Sequence, residues 1–255
     1  MLAYDRRGNG APLLLLHGTN SSRSIWEPLL PRLTSCREVL SVDLPAHGAS
    51  PASSLAPPAW AKEVASLLDE LGLERIAVVG HSSGGWTALE LAKLGRASSV
   101  LALAPAGLWR KHSPVVTDAI LVLNWRLGQI VGERGTMPLR TRLGRRLTLR
   151  QVSAHPADVP LADALGLAKT VLASKHFPEH FKETRRLRFR DGEKIPDDVP
   201  VLVVWGGKDR IARPRASRHT DQLPAHAAIA TWAGCGHMLM WDRKEEVVRA
   251  ALGLG

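Results

Sequence analysis

The sequence predicts an α/β protein: a mainly parallel sheet of about seven to eight strands, flanked by helices, with a mostly helical cap inserted into it. Three observations predict this. Short, nearly unbroken apolar runs recur at residues 13–18, 38–48, 75–80 and 99–107, with amphipathic stretches between them. The alternation resumes at 199–209 and 227–237, after a long interval with no strand signal. That interval differs chemically from its flanks. Residues 108–195 hold 17 Lys/Arg against 8 Asp/Glu, and the rest of the chain holds 17 against 16. Runs that are apolar throughout imply strands covered on both faces, as in a parallel sheet between helices.

Taken in order, "LLLLHG" (13–18) is a strand ending in a turn, and "EVLSVDLPAHG" (38–48) repeats the arrangement. "PPAWAKEVASLLDELG" (57–72) carries a helical stripe at Trp60, Val64, Leu67, Leu68 and Leu71. Its prolines favour a helix start and Gly72 a stop. "RIAVVG" (75–80) reads as a strand, "WTALELAKLG" (86–95) as a helix, and "SVLALAPAG" (99–107) as another strand. In the middle, 113–131 has apolar residues at 116, 119, 120, 123, 127, 130 and 131, which is helical spacing, and 160–177 is similar. Arginine-rich segments separate them. Then come the strand "VPVLVVWGGKD" (199–209), the strand "AAIATWAGCGH" (227–237) and the closing helix 243–253. The expected division is a first core part at 1–107, a cap at 108–195 and a second core part at 196–255.

The 255 residues are 45% hydrophobic, enough for one large core. Cys36 and Cys235 form neither a disulfide framework nor a metal motif, which suits a reducing compartment. Residues 1–10 lead into an apolar run too short for a secretory signal, and the longest mostly apolar stretch, 100–109, is too short to cross a bilayer. The expectation is a cytoplasmic protein with no transmembrane segment. The formal net charge is +10. Solvated surface charge is the simplest reading of the basic middle; an anionic small molecule, a carrier protein or a membrane surface would also fit it. Nucleic acid is disfavoured, because no reader motif is present.

The most informative stretch is "GHSSGG" (80–85), between a strand and a helix. Ser82 centres a G-x-S-x-G turn. Side chains at Gly80 and Gly84 would collide as strand and helix approach. The turn lifts Ser82 from the carboxyl edge of the sheet and sets Ser82 and Ser83 at a helix N-terminus, where unpaired N–H groups favour a developing oxyanion. A serine hydroxyl needs a base. Of ten histidines, His237 stands out, in the glycine loop "GCGH" after the last strand. His81 adjoins the serine but is expected to leave the turn in another direction. His17 and His47 follow strand ends, and His180 is grouped with the surface or cap histidines. Asp209 follows a strand through "GKD" and is the expected partner of the base, in the order Ser82, Asp209, His237. Asp43 reads as a structural strand-end carboxylate, and Asp242 as a cap of the last helix. In "HGTN" (17–20) the Thr19 N–H is the candidate second oxyanion donor beside that of Ser83, with Asn20 as the alternative.

"HGTN", "DLPAHGAS", "GHSSGG", "WGGKD" and "GCGH", in this order and spacing, resemble the capped serine-hydrolase branch of the α/β-hydrolase superfamily. The resemblance implies that superfamily's fold, with the cap after strand six, a Ser82–Asp209–His237 triad, Thr19 and Ser83 as oxyanion donors, and no cofactor or metal. Ala46 and His47 replace part of the usual glycine pattern in "DLPAHGAS". Serine at the turn argues against the dehalogenase and epoxide hydrolase branches, which use aspartate there. The expected activity is cleavage of an ester-like carbonyl (carboxylic ester, lactone or thioester) through an acyl-enzyme. A carbon–carbon hydrolase, a cyclase or acyltransferase, or a receptor with a vestigial triad are the alternatives. The expected partner is a small molecule, anionic or carrier-bound, with Arg140, Arg142, Arg145 and Arg146 as candidate anion contacts. Candidate pocket walls are Asn20, Trp26, Trp86, Trp109, Trp125, Phe177, Phe181 and Met238, and Met240 is also considered.

Overall fold

A computed structural model describes residues 1–254. Seven strands form one sheet in the order β1-β3-β2-β4-β5-β6-β7: β1 (Tyr4–Arg7), β2 (Pro12–Leu16), β3 (Glu38–Val42), β4 (Ile76–His81), β5 (Ala97–Leu103), β6 (Val201–Gly206) and β7 (Ala228–Trp232). Every pairing is parallel except β1 with β3. The apolar runs form the central strands. Leu13 to Leu16 are fully buried, as are Val78, Leu101 and Val203. β1 was not legible as a strand: "YDRR" has no apolar run, because an antiparallel edge strand can leave charged side chains in water.

The helices before the cap are α1 (Leu30–Leu33), α2 (Pro57–Glu70) and α3 (Ser83–Lys93). In α2, Trp60, Val64, Leu67 and Leu68 are buried, which is the stripe the sequence predicts. Helix α3 follows the nucleophile turn and is buried from Ser83 to Ala92; α2 packs on it. The resemblance implies a cap after strand six. The sheet holds seven strands, and only helices and turns lie between β5 and β6.

The cap contains α4 (Val115–Val131), a 3-10 stretch (Gly132–Arg140), α5 (Arg142–Thr148), α6 (Leu161–Ala173) and α7 (Phe177–Thr184). The periodic stretches at 113–131 and 160–177 become α4 and α6. Helix α5 arises from a segment read only as an arginine-rich connection, and α7 from the stretch after 160–177, for which no element was expected. The apolar stripe of α4 faces outward: Val116, Leu123, Leu127 and Ile130 are all exposed. Its inner side carries Thr117, whose hydroxyl donates to Ile211 O, and Trp125, whose indole N–H donates to Ser174 O. Periodicity locates a stripe but does not say which neighbour it meets. Val115–Arg140 is therefore a longer apolar segment than residues 100–109, long and apolar enough by length and composition to match a bilayer.

After the cap come α8 (Pro214–Ser217), α9 (Leu239–Asp242) and α10 (Lys244–Leu252). Helix α10 packs against α1 and α9. The loops after β2, β4, β6 and β7 all leave the same, carboxyl edge of the sheet. In α/β sheets that is where ligands bind.

Candidate active site

Ser82 occupies the turn between β4 and α3 with φ 53° and ψ −117°. This is a strained conformation for a residue with a side chain. Two contacts explain the flanking glycines. A Cβ on Gly80 would strike the carbonyl of Gly84, and one on Gly84 would strike the carbonyls of Leu16 and His17. Strand, turn and helix meet here backbone to backbone.

His237 lies five residues beyond β7. Its Nδ1–H donates to Asp209 Oδ2 at 2.9 Å. The other carboxylate oxygen, Oδ1, accepts the N–H groups of Ile211 and Ala212, each at 2.8 Å. Burial alone would raise the Asp209 pKa. The charge and hydrogen bond of His237, with the two amides, outweigh burial and hold it below the ordinary value. Asp209 is thus a fixed, ionised acceptor for the Nδ1–H of His237, which directs Nε2 of the same ring away from it. Ser82 and His237 border the same cavity. Among the described residues Ser82 Oγ makes no hydrogen bond, so the link between nucleophile and base is open. Such links are often long before substrate arrives.

His81 does not simply turn away. It is fully buried, and its Nε2–H donates to the backbone carbonyl of His237 at 3.1 Å. Burial and the neighbouring imidazole lower its pKa to about 3, so it is neutral. It tethers the histidine loop to the nucleophile turn. Asp242 does not cap the last helix. It accepts from Ser153 Oγ at 2.6 Å, Ala154 N at 2.9 Å and Gly236 N at 2.6 Å, and so ties the histidine loop to the cap. Asp43 is a structural carboxylate: it is buried, pairs with Arg23 and accepts from Ala49 N.

Thr19 follows β2 and reaches the cavity beside Ser82 and Ser83. Its hydroxyl lies 2.6 Å from Ser83 Oγ and 2.9 Å from His180 Nε2. His180 Nδ1 lies 2.7 Å from Leu55 O, and a carbonyl can only accept, so Nδ1 carries the proton. Nε2 is then the acceptor, Thr19 donates to it, and Ser83 donates to Thr19. His180 stacks on Trp60 with ring centroids 4.7 Å apart and meets His47 edge-on. Burial, reinforced by His47, pushes its pKa to about 3. His180 is the residue that sequence reasoning missed. "FPEHF" carries no local sign that its histidine is buried.

The pocket candidates divide. Asn20, Trp109, Phe181 and Met238 border the cavity. Asn20 has φ 57°, and its buried Oδ1 lacks a hydrogen-bond partner among the described residues. Trp26 and Trp86 are fully buried and lie away from the cavity; the Trp86 indole donates to Glu90. Trp125 and Phe177 meet each other at a tilt, with ring centroids 5.5 Å apart, and do not line the cavity, and Met240 is core. The cap arginines proposed as anion contacts also lie elsewhere. Arg142 pairs with Asp158, Arg145 donates to the carbonyls of Leu139 and Ala157, and neither they nor Arg140 and Arg146 border the cavity. The one arginine on its wall is Arg185, 3.3 Å from the buried Asp118. Leu121, Val152, Leu167, Val171 and Ile211 make the remaining lining mainly apolar. No cluster of three or more His, Cys, Asp or Glu able to hold a metal occurs among the described residues.

A seven-stranded, mainly parallel sheet with an inserted helical cap, and with polar residues gathered at its carboxyl edge, defines a hydrolase-type α/β enzyme. The model of the alpha/beta hydrolase family matches residues 13–250, and the chain belongs to that family. It is similar to the protein named epoxide hydrolase EphH of Mycobacterium tuberculosis, with 36% identity over 191 residues, covering 71% of this chain and 86% of that one. Two solved structures share the fold. Esterase RhEst1 from a Rhodococcus species aligns with TM-score 0.76 at 22% identity, over 100% of this chain and 95% of that one. The enol-lactonase of Burkholderia xenovorans aligns with TM-score 0.76 at 21% identity, over 99% and 95%.

Proposed function

We propose that the protein is a serine hydrolase that cleaves an ester-like carbonyl, of a carboxylic ester, lactone or thioester, through an acyl-enzyme. One observation carries this reading. Ser82, held strained at a helix N-terminus, shares a cavity with a histidine whose far nitrogen is fixed by a buried carboxylate at 2.9 Å. In the working complex His237 Nε2 reaches Ser82 Oγ across the cavity that both border. His237 removes the hydroxyl proton as Oγ attacks the carbonyl carbon. The Ser83 and Thr19 N–H groups hold the tetrahedral oxygen. The imidazolium then protonates the leaving group, and water repeats the attack on the acyl-enzyme. Asp209 stays ionised throughout.

The name carried by the Mycobacterium relative raises epoxide opening as a second reading. The nucleophile speaks against it. A carboxylate opening an epoxide forms an ester that water can cleave. A serine hydroxyl would form an ether, which the same machinery cannot hydrolyse. Ser82 therefore favours a carbonyl substrate. The mainly apolar lining favours an uncharged acyl group over the anionic or carrier-bound one considered from composition. The test is steady-state turnover of p-nitrophenyl butyrate. The wild type should turn over repeatedly, and Ser82→Ala should lose about 10³-fold or more in kcat. Equal turnover by both would remove the proposal.

A further inference from the structure

We propose that the outer face of the cap docks on an anionic lipid surface. Helix α4 is amphipathic in reverse. Val116, Ala119, Leu123, Leu127 and Ile130 recur every three to four residues, so they share one face, and that face is in solvent. Leu123 is 54% exposed and Ile130 is 80% exposed. The orientation is fixed from within. Thr117 is bonded to Ile211 O, Trp125 to Ser174 O, and a side chain at Gly128 would crowd Val171 of α6. Next to it in sequence, α5 exposes Leu143 and Leu147, one turn apart. A soluble monomer rarely leaves the full aliphatic face of a helix bare without a use for it.

Charge selects the occupant. Residues 115–150 expose Arg126, Arg134, Arg140, Arg142, Arg146 and Arg150, and Glu133 is the one exposed acid among them. Arg142 is paired with Asp158 outside this stretch. A second copy laid face to face would set these cations against their own kind. An anionic bilayer supplies negative head groups and an apolar phase together. Arginines interleaved with aliphatic residues suit such an interface, because their long stems lie along apolar surface while the guanidinium reaches the head groups. An acidic protein groove would match the charge, but a flat lipid surface also takes up the aliphatic row along the whole length of α4, Val115–Val131. The contacts of its inner face keep it in the fold, so it lies on a membrane and does not cross one.

The test is co-sedimentation of the full chain with vesicles of phosphatidylglycerol and phosphatidylcholine, and with phosphatidylcholine alone. Binding to the anionic vesicles should be at least about tenfold stronger, and should weaken as salt shortens the screening length. Leu123→Gln/Leu127→Gln/Ile130→Gln should reduce it at least about tenfold, and so should Arg126→Gln/Arg134→Gln/Arg140→Gln. None of these six residues borders the cavity. Unchanged melting temperature and turnover of a soluble ester then show that the fold survives. Absence of binding to anionic vesicles overturns the proposal, as does binding that the aliphatic substitutions leave intact. Self-association that those substitutions abolish, without vesicle binding, assigns the face to a second copy. Capture of an acidic protein without vesicle binding assigns it to that partner.

Discussion

His180 Nε2, on cap helix α7, accepts a hydrogen bond from the hydroxyl of Thr19, in the loop after β2, across 2.9 Å. The cap therefore does more than cover the cavity. Through this bond, and the one from Ser83 to Thr19, it holds the two residues whose amides are proposed to bind the oxyanion. Replacing His180 by Phe keeps a ring to stack on Trp60 but removes the acceptor. If His180 is a positioning residue, kcat for a soluble ester falls about tenfold with KM little changed, because oxyanion binding is felt mainly in the transition state. Thr19→Val should give the same split. A change in KM alone would mean that the contact serves substrate binding.

Asp209→Asn should be severe. Among the described residues, the two other carboxylates considered for the site are engaged elsewhere: Asp242 by Ser153, Ala154 and Gly236, and Asp43 by Arg23. An amide at 209 would also favour the wrong tautomer of His237. A loss of about 10⁴-fold in kcat near neutral pH is expected, from single-turnover or steady-state kinetics. A mild loss would show that another group orients the base.

Acid should destabilise the fold early. His17, His47, His81 and His180 are buried with lowered pKa values, the last two to about 3, and burial is the leading cause in each. The unfolded chain protonates these rings below about pH 6.5 while the folded chain does not. The unfolded state then binds more protons, so stability is complete above that pH and declines as pH falls towards about 3. Each such histidine removes about 1.4 kcal/mol per pH unit within its window. Asp209, with its lowered pKa, acts in the same direction at the acid end. Denaturant melts at stepped pH should show this slope, and His180→Gln should reduce it. Constant stability from pH 7 to 5 would contradict neutral burial.

The KM for an uncharged acyl ester should be insensitive to ionic strength, because Arg185, the arginine on the cavity wall, is already set against Asp118. Longer aliphatic acyl chains should be preferred to acetyl, since burial of each methylene is worth about 0.8 kcal/mol. A KM for an anionic acyl ester that lies well below that of its uncharged analogue at low salt, and climbs steeply as salt is added, would restore the anionic substrate expected from composition.

The parts of this molecule that are legible in sequence are those fixed by local stereochemistry. Gly80, Ser82 and Gly84 announce a turn because neighbouring backbone leaves no room for side chains there. Asp209 and His237 are found from their places after strands. What is hidden depends on which surface meets which. β1 is short and charged because an edge strand needs no apolar run. The outward stripe of α4 has the same periodicity as an inward one. His180 lies in a polar segment, and its burial comes from Trp60 and Leu55, more than 100 residues earlier. Trp26 and Trp86 were candidates for the cavity because a large aromatic side chain fits a core and a pocket equally well.

The central claim is that Ser82 is the nucleophile and that His237 reaches it in the working enzyme. Labelling with a fluorophosphonate, timed by intact mass and located by peptide mapping, tests both halves. The account predicts a single adduct, on Ser82, formed about 100-fold more slowly or not at all in His237→Ala. An adduct on Ser83 or elsewhere, or equal labelling rates in wild type and His237→Ala, would contradict it.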